Sequence, residues 1–388
     1  IVLGGPEVSF EGTELFDRHP GVSALVTGEG EEPLERLLSA WRKESQPKSI
    51  PRTIVRQKDQ LVLGPKNPPL NELDAIPSPI KLGLTDLNRG FVYYETSRGC
   101  PFHCSFCLSA RDNQMRSFSM ERIQSDLRIL MDSGVDKVKL VDRTFNYDPR
   151  RAQEIFSFIL GHNRSTHFHF EIGAHLLDDE TLDLLATVPA DMFQFEIGVQ
   201  STLESTLDAI DRKVNLDKLE ANVRRLIDDD RIHLHLDLVA GLPGDTYVSF
   251  KESINRVIAL QPQHLQIEPV KLLLGSPLRD QAKELQIHFD PNPPYTILDS
   301  PYFPYEDLKR IQDISRLLDL TYNSGCFGTF LQEVAELKGS FADGLAWISE
   351  EWRKRGLFRF PMNRQTIFYN LADIVHEDGR RERKTRNY

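Results

Sequence analysis

A chain of 388 residues with 40% hydrophobic and 27% charged side chains has the composition of a soluble globular protein, and no apolar run approaches the ~20 residues of a membrane span. Its 58 acidic residues outnumber 47 basic ones, and the net charge of -11 argues against nucleic acid as the main partner, because phosphate contacts need clustered Lys and Arg. Four cysteines over this length do not make a secreted disulfide framework, so a reducing, cytoplasmic compartment is expected, and the length predicts two or three domains.

Residues 1–45 read as alternating strand and helix: a strand at 1–3 opening onto Gly4-Gly5-Pro6, a helix at 13–19, a strand at 24–27, then Gly28-Glu29-Gly30-Glu31. A helix at 33–43 follows, with Pro33 in its first turn and Leu34, Leu37, Leu38 and Trp41 at helical spacing. Such alternation predicts the tail of an α/β unit with a parallel sheet. The chain begins inside an apolar strand without an initiator methionine, so a missing N-terminus is expected. Residues 46–88 are rich in proline and predict an extended linker, with room for a hairpin at 53–63.

Residues 96–107 read Thr-Ser-Arg-Gly-Cys-Pro-Phe-His-Cys-Ser-Phe-Cys, which places Cys100, Cys104 and Cys107 in a CxxxCxxC spacing. A closed tetrathiolate site needs a fourth cysteine nearby, and Cys326 lies far downstream. Three thiolates on a four-iron, four-sulfur cluster leave one iron open to an exogenous ligand; a zinc knuckle or scattered core thiols are the competing readings.

From residue 89 to about 290 strands recur between helices, at 90–96, 137–141, 167–172, 192–200, 233–239 and 264–270, with helices such as 120–133 and 216–229 between them. Six such units predict a partial (β/α)6 barrel of the TIM type. Alternation along the strands sorts the side chains: His167, His169 and Glu171 oppose Phe168, Phe170 and Ile172, and Gln194, Glu196, Gly198 and Gln200 oppose Phe193, Phe195, Ile197 and Val199. His233, His235 and Asp237 oppose leucines, as His264, Gln266 and Glu268 oppose Leu265 and Ile267. Helices cover the outside of such a barrel, so the polar face lines the lumen. Buried polar groups are costly without partners, and a lumen of this kind is expected to hold a polar ligand.

The cysteine spacing, with aromatic Phe106 directly before the last cysteine, resembles the radical S-adenosylmethionine (radical SAM) signature. That resemblance implies a 4Fe-4S cluster on Cys100, Cys104 and Cys107. Its open iron binds the amino and carboxylate groups of S-adenosylmethionine, which one electron splits into methionine and a 5′-deoxyadenosyl radical. The elements Gly198-Val199-Gln200-Ser201, Asp211-Arg212-Lys213 and Asp237-Leu238-Val239-Ala240-Gly241-Leu242-Pro243-Gly244 resemble the branch that includes the oxygen-independent coproporphyrinogen oxidase. Carried over, Gln200 and Asp237 contact the ribose and adenosyl portion, Arg212 the methionine carboxylate, and Glu171 the nucleoside, with Ser201 and Phe106 also expected among the cofactor-binding residues. The family's Gly-Gly-Glu at the end of the second strand is replaced by Val141-Asp142-Arg143-Thr144, which leaves Asp142 and Thr144 as candidates near the methionine amine.

Leu3-Gly4-Gly5-Pro6-Glu7-Val8-Ser9 followed by the Gly-Glu-Gly-Glu element is similar to the second half of a Rossmann-like cobalamin-binding domain. There Gly4 and Gly5 would let the backbone approach the corrin tail, and the cobalt-facing histidine would precede residue 1. Residues 291–388 read as mainly helical, with periodicity at 308–320 and 341–355. They resemble an uncharacterised domain that trails some cobalamin-type radical enzymes, expected to cap the barrel mouth near Tyr302, Tyr305 and Tyr322. Cys326 is expected to be a packed thiol, and the basic run from Arg380 to Arg386 a solvated, disordered tail.

Three activities fit this reading. The first is cobalamin-dependent methylation of an unactivated carbon; the second is a radical rearrangement, cyclisation or oxidation without methyl transfer; the third is a non-catalytic cluster-binding or sensing module. The partners implied by the family are a small-molecule or peptide substrate and a reductant such as flavodoxin or ferredoxin.

Overall fold

The computed structural model describes residues 1–43, 49–58, 60–66, 68–111 and 114–385. Strand Val2–Gly4 (β1) pairs in parallel with Ala24–Val26 (β2), and helices Pro6–Ser9 (α1) and Glu14–Arg18 (α2) lie between them in the chain. Helix Glu31–Arg42 (α3) follows and buries Pro33 and Leu37. Strands Thr53–Gln57 (β3) and Gln60–Leu63 (β4) form the anticipated hairpin. It pairs antiparallel with β2 and extends the first sheet to the order β1-β2-β3-β4. Part of the segment read as linker is therefore sheet, because Val55 alternates inward onto Leu37 and Ala24. Residues 46–48, where that segment opens, lie outside the described residues.

The second sheet begins with Phe91–Tyr94 (β5). A ribbon of Ser97–Arg98 (β6) and Arg116–Ser117 (β7) then brackets the cysteine loop. Helix Met120–Asp132 (α4), strand Lys137–Leu140 (β8), helix Pro149–His162 (α5), strand His167–Ile172 (β9) and helix Asp179–Leu185 (α6) continue the alternation. Strand Phe193–Gln200 (β10), helices Glu204–Ala209 (α7) and Leu216–Asp229 (α8), strand His233–Ala240 (β11), helix Tyr247–Ile258 (α9) and strand His264–Pro269 (β12) complete it. The sheet runs β12-β11-β10-β9-β8-β5 with every pair parallel. The apolar face of the alternation points outward as expected: Phe168, Phe170, Phe193 and Phe195 are fully buried, and Phe156 of α5 meets Phe170 edge-on at 5.2 Å. Ser119, Asp148, Asp178 and Asn215 accept backbone N–H groups at the starts of α4, α5, α6 and α8, fixing where each helix begins.

After β12 come helix Pro277–Gln281 (α10) and the small ribbon His288–Phe289 (β13) and Ile297–Asp299 (β14). Helices Tyr305–Leu320 (α11), Gly328–Lys338 (α12), Phe341–Lys354 (α13) and Arg364–Thr385 (α14) follow. These helices lie along the flank of the barrel rather than across its mouth. The Asn323 side chain accepts from the Leu265 N–H at 2.9 Å and donates to the Leu265 carbonyl at 3.0 Å, and Ser315 donates to the Ile267 carbonyl at 2.9 Å. Those bonds satisfy the outer edge of β12. Tyr322 donates to the Pro262 carbonyl, before the start of β12 and at the opposite end of the strands from the cysteine loop, while Tyr302 and Tyr305 are exposed. The expectation of a cap built from these tyrosines is thereby corrected. Cys326 is exposed rather than packed, its thiol donating to the Ser324 carbonyl at 3.3 Å. The basic run continues α14 as helix as far as Thr385 rather than as a disordered segment, beyond the stripe of Ile367, Leu371 and Ile374 that anchors the first half of that helix; Arg386 lies outside the described residues.

Candidate active site

The cysteine loop is shaped by its first glycine. Gly99 has φ +91°, and a Cβ there would run into the Gln114 carbonyl oxygen of the returning strand. Only glycine lets β6 turn into the loop at this closeness. Cys100 and Cys104 are buried and Cys107 is half-buried. The Cys107 N–H donates to the Cys104 carbonyl at 2.9 Å, and the Ser109 N–H donates to the Cys107 sulfur at 3.4 Å. From outside, Ser105 is held by the Ile210 carbonyl and by the Leu278 N–H, each at 2.8 Å. Phe106 packs on the hydrophobic core, whereas Phe102 is the loop aromatic that lines the cavity.

The Gly-Glu-Gly-Glu element grips this loop. Arg98 meets Glu31 at 2.6 Å and Glu29 at 3.6 Å, and Arg116 meets Glu29 at 2.7 Å. The Gly4–Gly5 turn lies on the same side, since Phe10 packs its ring on Gly275, past the C-terminal end of β12, and Tyr295 donates to Glu7. Gly5 has φ +100° with nothing within 4 Å of the position a Cβ would take. An open glycine turn at the carboxyl ends of the parallel strands β1 and β2 is the place where a nucleotide-like tail is received in α/β sheets.

A cavity of about 220 Å³ opens at the C-terminal end of the barrel strands. Glu171 of β9, Glu196, Gly198 and Gln200 of β10, Asp237 of β11, Thr144 and Arg212 all line it. The sequence-assigned set thus converges, apart from Asp142, Ser201 and Phe106. Asp142 is fully buried away from the cavity. It accepts from the Thr96 N–H at 3.1 Å, the Thr96 hydroxyl at 2.6 Å and the Ser97 hydroxyl, and pairs with Arg151 at 3.5 Å. It ties the end of β5 to the end of β8. Ser201, also fully buried, accepts from the Leu203 N–H at 3.2 Å.

Thr144 lies 3.6 Å from the Cys100 sulfur, and Arg212 donates to the Cys104 sulfur at 3.6 Å and to the Gly198 carbonyl. Gln200 has φ +70°, at a shift in the β10–β11 register. Its amide folds back over Gly198, where a Cβ would collide with it. A non-glycine residue in that conformation at a cavity wall is strain of the kind found at binding sites. Glu196, His175, Arg143 and Phe102 also line the cavity. Alternation already placed Glu196 in the lumen; the other three lie past the strand ends, His175 in the short 3-10 turn Ala174–Leu176, where no periodicity marks them.

Burial is the main cause that pushes Asp237 up to about 8, with Glu196 and Glu171 adding to it, and burial likewise raises Glu171. Glu196 is held low instead by its hydrogen bond from His169, at 3.0 Å. Burial first, and Arg212 second, bring His175 down to about 4, so its ring is neutral at pH 7. Arg212 Nε and His175 Nδ1 are buried here without a hydrogen-bond partner, while Asp237 Oδ1 lies 3.2 Å from His235 Nε2. Groups so arranged suit a ligand bearing carboxylate and hydroxyl functions.

Among the described residues no three His, Cys, Asp or Glu side chains converge on a single metal ion. A cubane cluster takes its thiolates at separate irons, and three cysteines on one loop beside this cavity suit it. Residues 94–257 match the radical SAM superfamily, and residues 283–387 match "Protein of unknown function (DUF4080)". The chain carries a radical SAM domain. The cobalamin-dependent radical SAM methyltransferase TokK of Streptomyces tokunonensis is 30% identical over 97% of this chain and 58% of its own length. The 2-(S-pantetheinyl)-carbapenam-3-carboxylate methyltransferase of Streptantibioticus cattleyicolor is 27% identical with the same coverage. The chain therefore spans 58% of the length of these two curated relatives. Among solved structures, the cobalamin-dependent S-adenosylmethionine radical enzyme OxsB with aqua-cobalamin bound superposes with a TM-score of 0.66 at 14% identity, covering 99% of this chain and 67% of that one. The shared fold thus extends through the first sheet and the C-terminal helices as well as the radical SAM barrel. None of the described helices is long and apolar enough to cross a membrane.

Proposed function

We propose that the protein is a cobalamin-dependent radical SAM methyltransferase acting on an unactivated carbon. One observation carries this reading: Cys100 and Cys104 lie against Thr144 and Arg212, which line the same cavity as Glu171, Gln200 and Asp237. When bound, the cluster supplies the electron that splits S-adenosylmethionine, and cobalamin supplies the methyl group. The chain's own residues bind and orient. Arg212, fixed by the Gly198 carbonyl, offers its free Nε to the methionine carboxylate. Asp237, protonated at pH 7, donates to a ribose oxygen, while Gln200 supplies an amide. The open Gly5 turn takes the cobalamin tail. The substrate is a small molecule or peptide, the reductant is of the flavodoxin or ferredoxin class, and free thiols in the chain suit a cytoplasmic setting.

Anaerobic reconstitution with iron, sulfide and cobalamin, followed by reduction with S-adenosylmethionine present, tests the reading. Release of both 5′-deoxyadenosine and S-adenosylhomocysteine is expected. Deoxyadenosine alone would point to rearrangement or oxidation, and neither product to a cluster-binding module.

A further inference from the structure

Glu196 lines the cavity, yet the family resemblance gives it no role. On β10 it shares a face with Gly198 and Gln200 and lies two residues before Gly198, roughly 7 Å deeper in the lumen, so it belongs to the cavity floor. Parallel register sets Glu171 of β9 on one side of it and His235 of β11 on the other. Its Oε2 lies 3.0 Å from His169 Nε2. A carboxylate only accepts, so Nε2 is the donor. His169 Nδ1 is buried without a partner, so a second proton on the ring would have no acceptor, and the histidine donates as the neutral tautomer. The other oxygen of Glu196, Oε1, makes no hydrogen bond among the described residues, and the side chain is 33% exposed at the cavity wall.

A carboxylate held in this way has one oxygen taken by the protein and the other offered to whatever fills the cavity. Facing it are Lys139 of β8, His169 and Glu171 of β9, His235 and Asp237 of β11, and His264 of β12. Burial raises Glu171 and Asp237, whereas the bond from His169 holds Glu196 low, so Glu196 is the floor carboxyl that keeps its charge most readily. A charged acceptor binds a hydroxyl about twice as strongly as a neutral one. We infer that Glu196 is a further binding residue of this cavity, its Oε1 accepting a ribose hydroxyl of the bound nucleoside, and that His169 is the positioning residue that aims it. This deepens the reading of the cavity as the S-adenosylmethionine site and rests on it.

Equilibrium dialysis of the cluster-loaded full chain with S-adenosylmethionine, adenosine and 2′,3′-dideoxyadenosine tests the inference. Glu196→Gln, nearly isosteric and uncharged, should weaken the first two by about tenfold and leave the dideoxynucleoside unchanged. Weakening of S-adenosylmethionine alone would assign Glu196 to the ammonium group, weakening of all three to the base, and no weakening would remove it from the site; each overturns the proposal. His169→Leu breaks the hydrogen bond, so Glu196 should take up a proton nearer neutral pH. Affinity for S-adenosylmethionine should then fall between pH 7.5 and 6, where that of the unaltered protein should change little. His169→Gln, whose amide nitrogen stands in for Nε2, should restore the flat profile. A flat profile in His169→Leu, or a fall that His169→Gln leaves uncorrected, would overturn the positioning role. Failure of the unaltered protein to bind S-adenosylmethionine sinks the cavity reading itself, whereas binding indifferent to Glu196 sinks this inference alone.

Discussion

Arg212 and Cys104 sit 3.6 Å apart, guanidinium to sulfur, and each changes what the other can do. Burial raises the Cys104 thiol pKa, and the arginine charge opposes that rise. Cluster assembly needs the thiolate. Arg212→Ala should therefore move the pH dependence of cluster reconstitution, followed by absorbance, to higher pH. It should also weaken S-adenosylmethionine binding by about tenfold or more, the loss expected for a charged hydrogen bond. Unchanged affinity would remove Arg212 from the carboxylate site.

The four cysteines should separate cleanly. Cys100→Ala, Cys104→Ala or Cys107→Ala should abolish cluster absorbance and S-adenosylmethionine cleavage. Cys326→Ala should spare both, because that thiol is exposed beyond the start of β12 and far from the cysteine loop. Full cleavage after loss of Cys104 would exclude a three-thiolate cluster on this loop.

Asp142→Asn tests a brace rather than a ligand. The carboxylate accepts three hydrogen bonds at no solvent exposure and pairs with Arg151, so the variant should lose about 3 kcal/mol of stability in chemical denaturation. Protein that remains folded and cluster-loaded should bind S-adenosylmethionine as before. A selective loss of binding at unchanged stability would return Asp142 to the cofactor site.

Asp237 sets a pH dependence of known sign. Its folded pKa of about 8 lies above the usual carboxylate value, so between roughly pH 4 and 8 the folded chain keeps a proton that the unfolded chain has lost. Its contribution to stability is full below that window and falls as pH rises through it. Asp237→Asn, which cannot ionise, should be more stable than the unaltered protein at pH 8 by several kcal/mol, about 5 at most, with little difference near pH 4. Equal stability at both pH values would mean that the cavity solvates the carboxylate.

Alternation made the barrel legible. Period-two patterns on four strands told inside from outside, and the structure puts Glu171, Glu196, Gln200 and Asp237 in one cavity accordingly. Past the ends of the strands that signal stops. Asp142 and Thr144 are two positions apart, yet one is spent on the backbone and hydroxyls of β5 and the cysteine loop while the other faces Cys100. Phe102, Arg143 and His175 went unassigned for the same reason, since past a strand end a residue's direction is set by what its loop or turn packs on. The helical segment was legible as helices, but its seat on β12 depends on Ser315 and Asn323, two polar side chains among many.

Asn323 and Ser315 occupy backbone groups that a lone sixth strand would leave bare. The region matched as a protein of unknown function is thus part of what lets the radical SAM barrel stop at six strands without recruiting a neighbour. Chains cut after β12 should expose a sticky border, since the two family regions share one hydrophobic core.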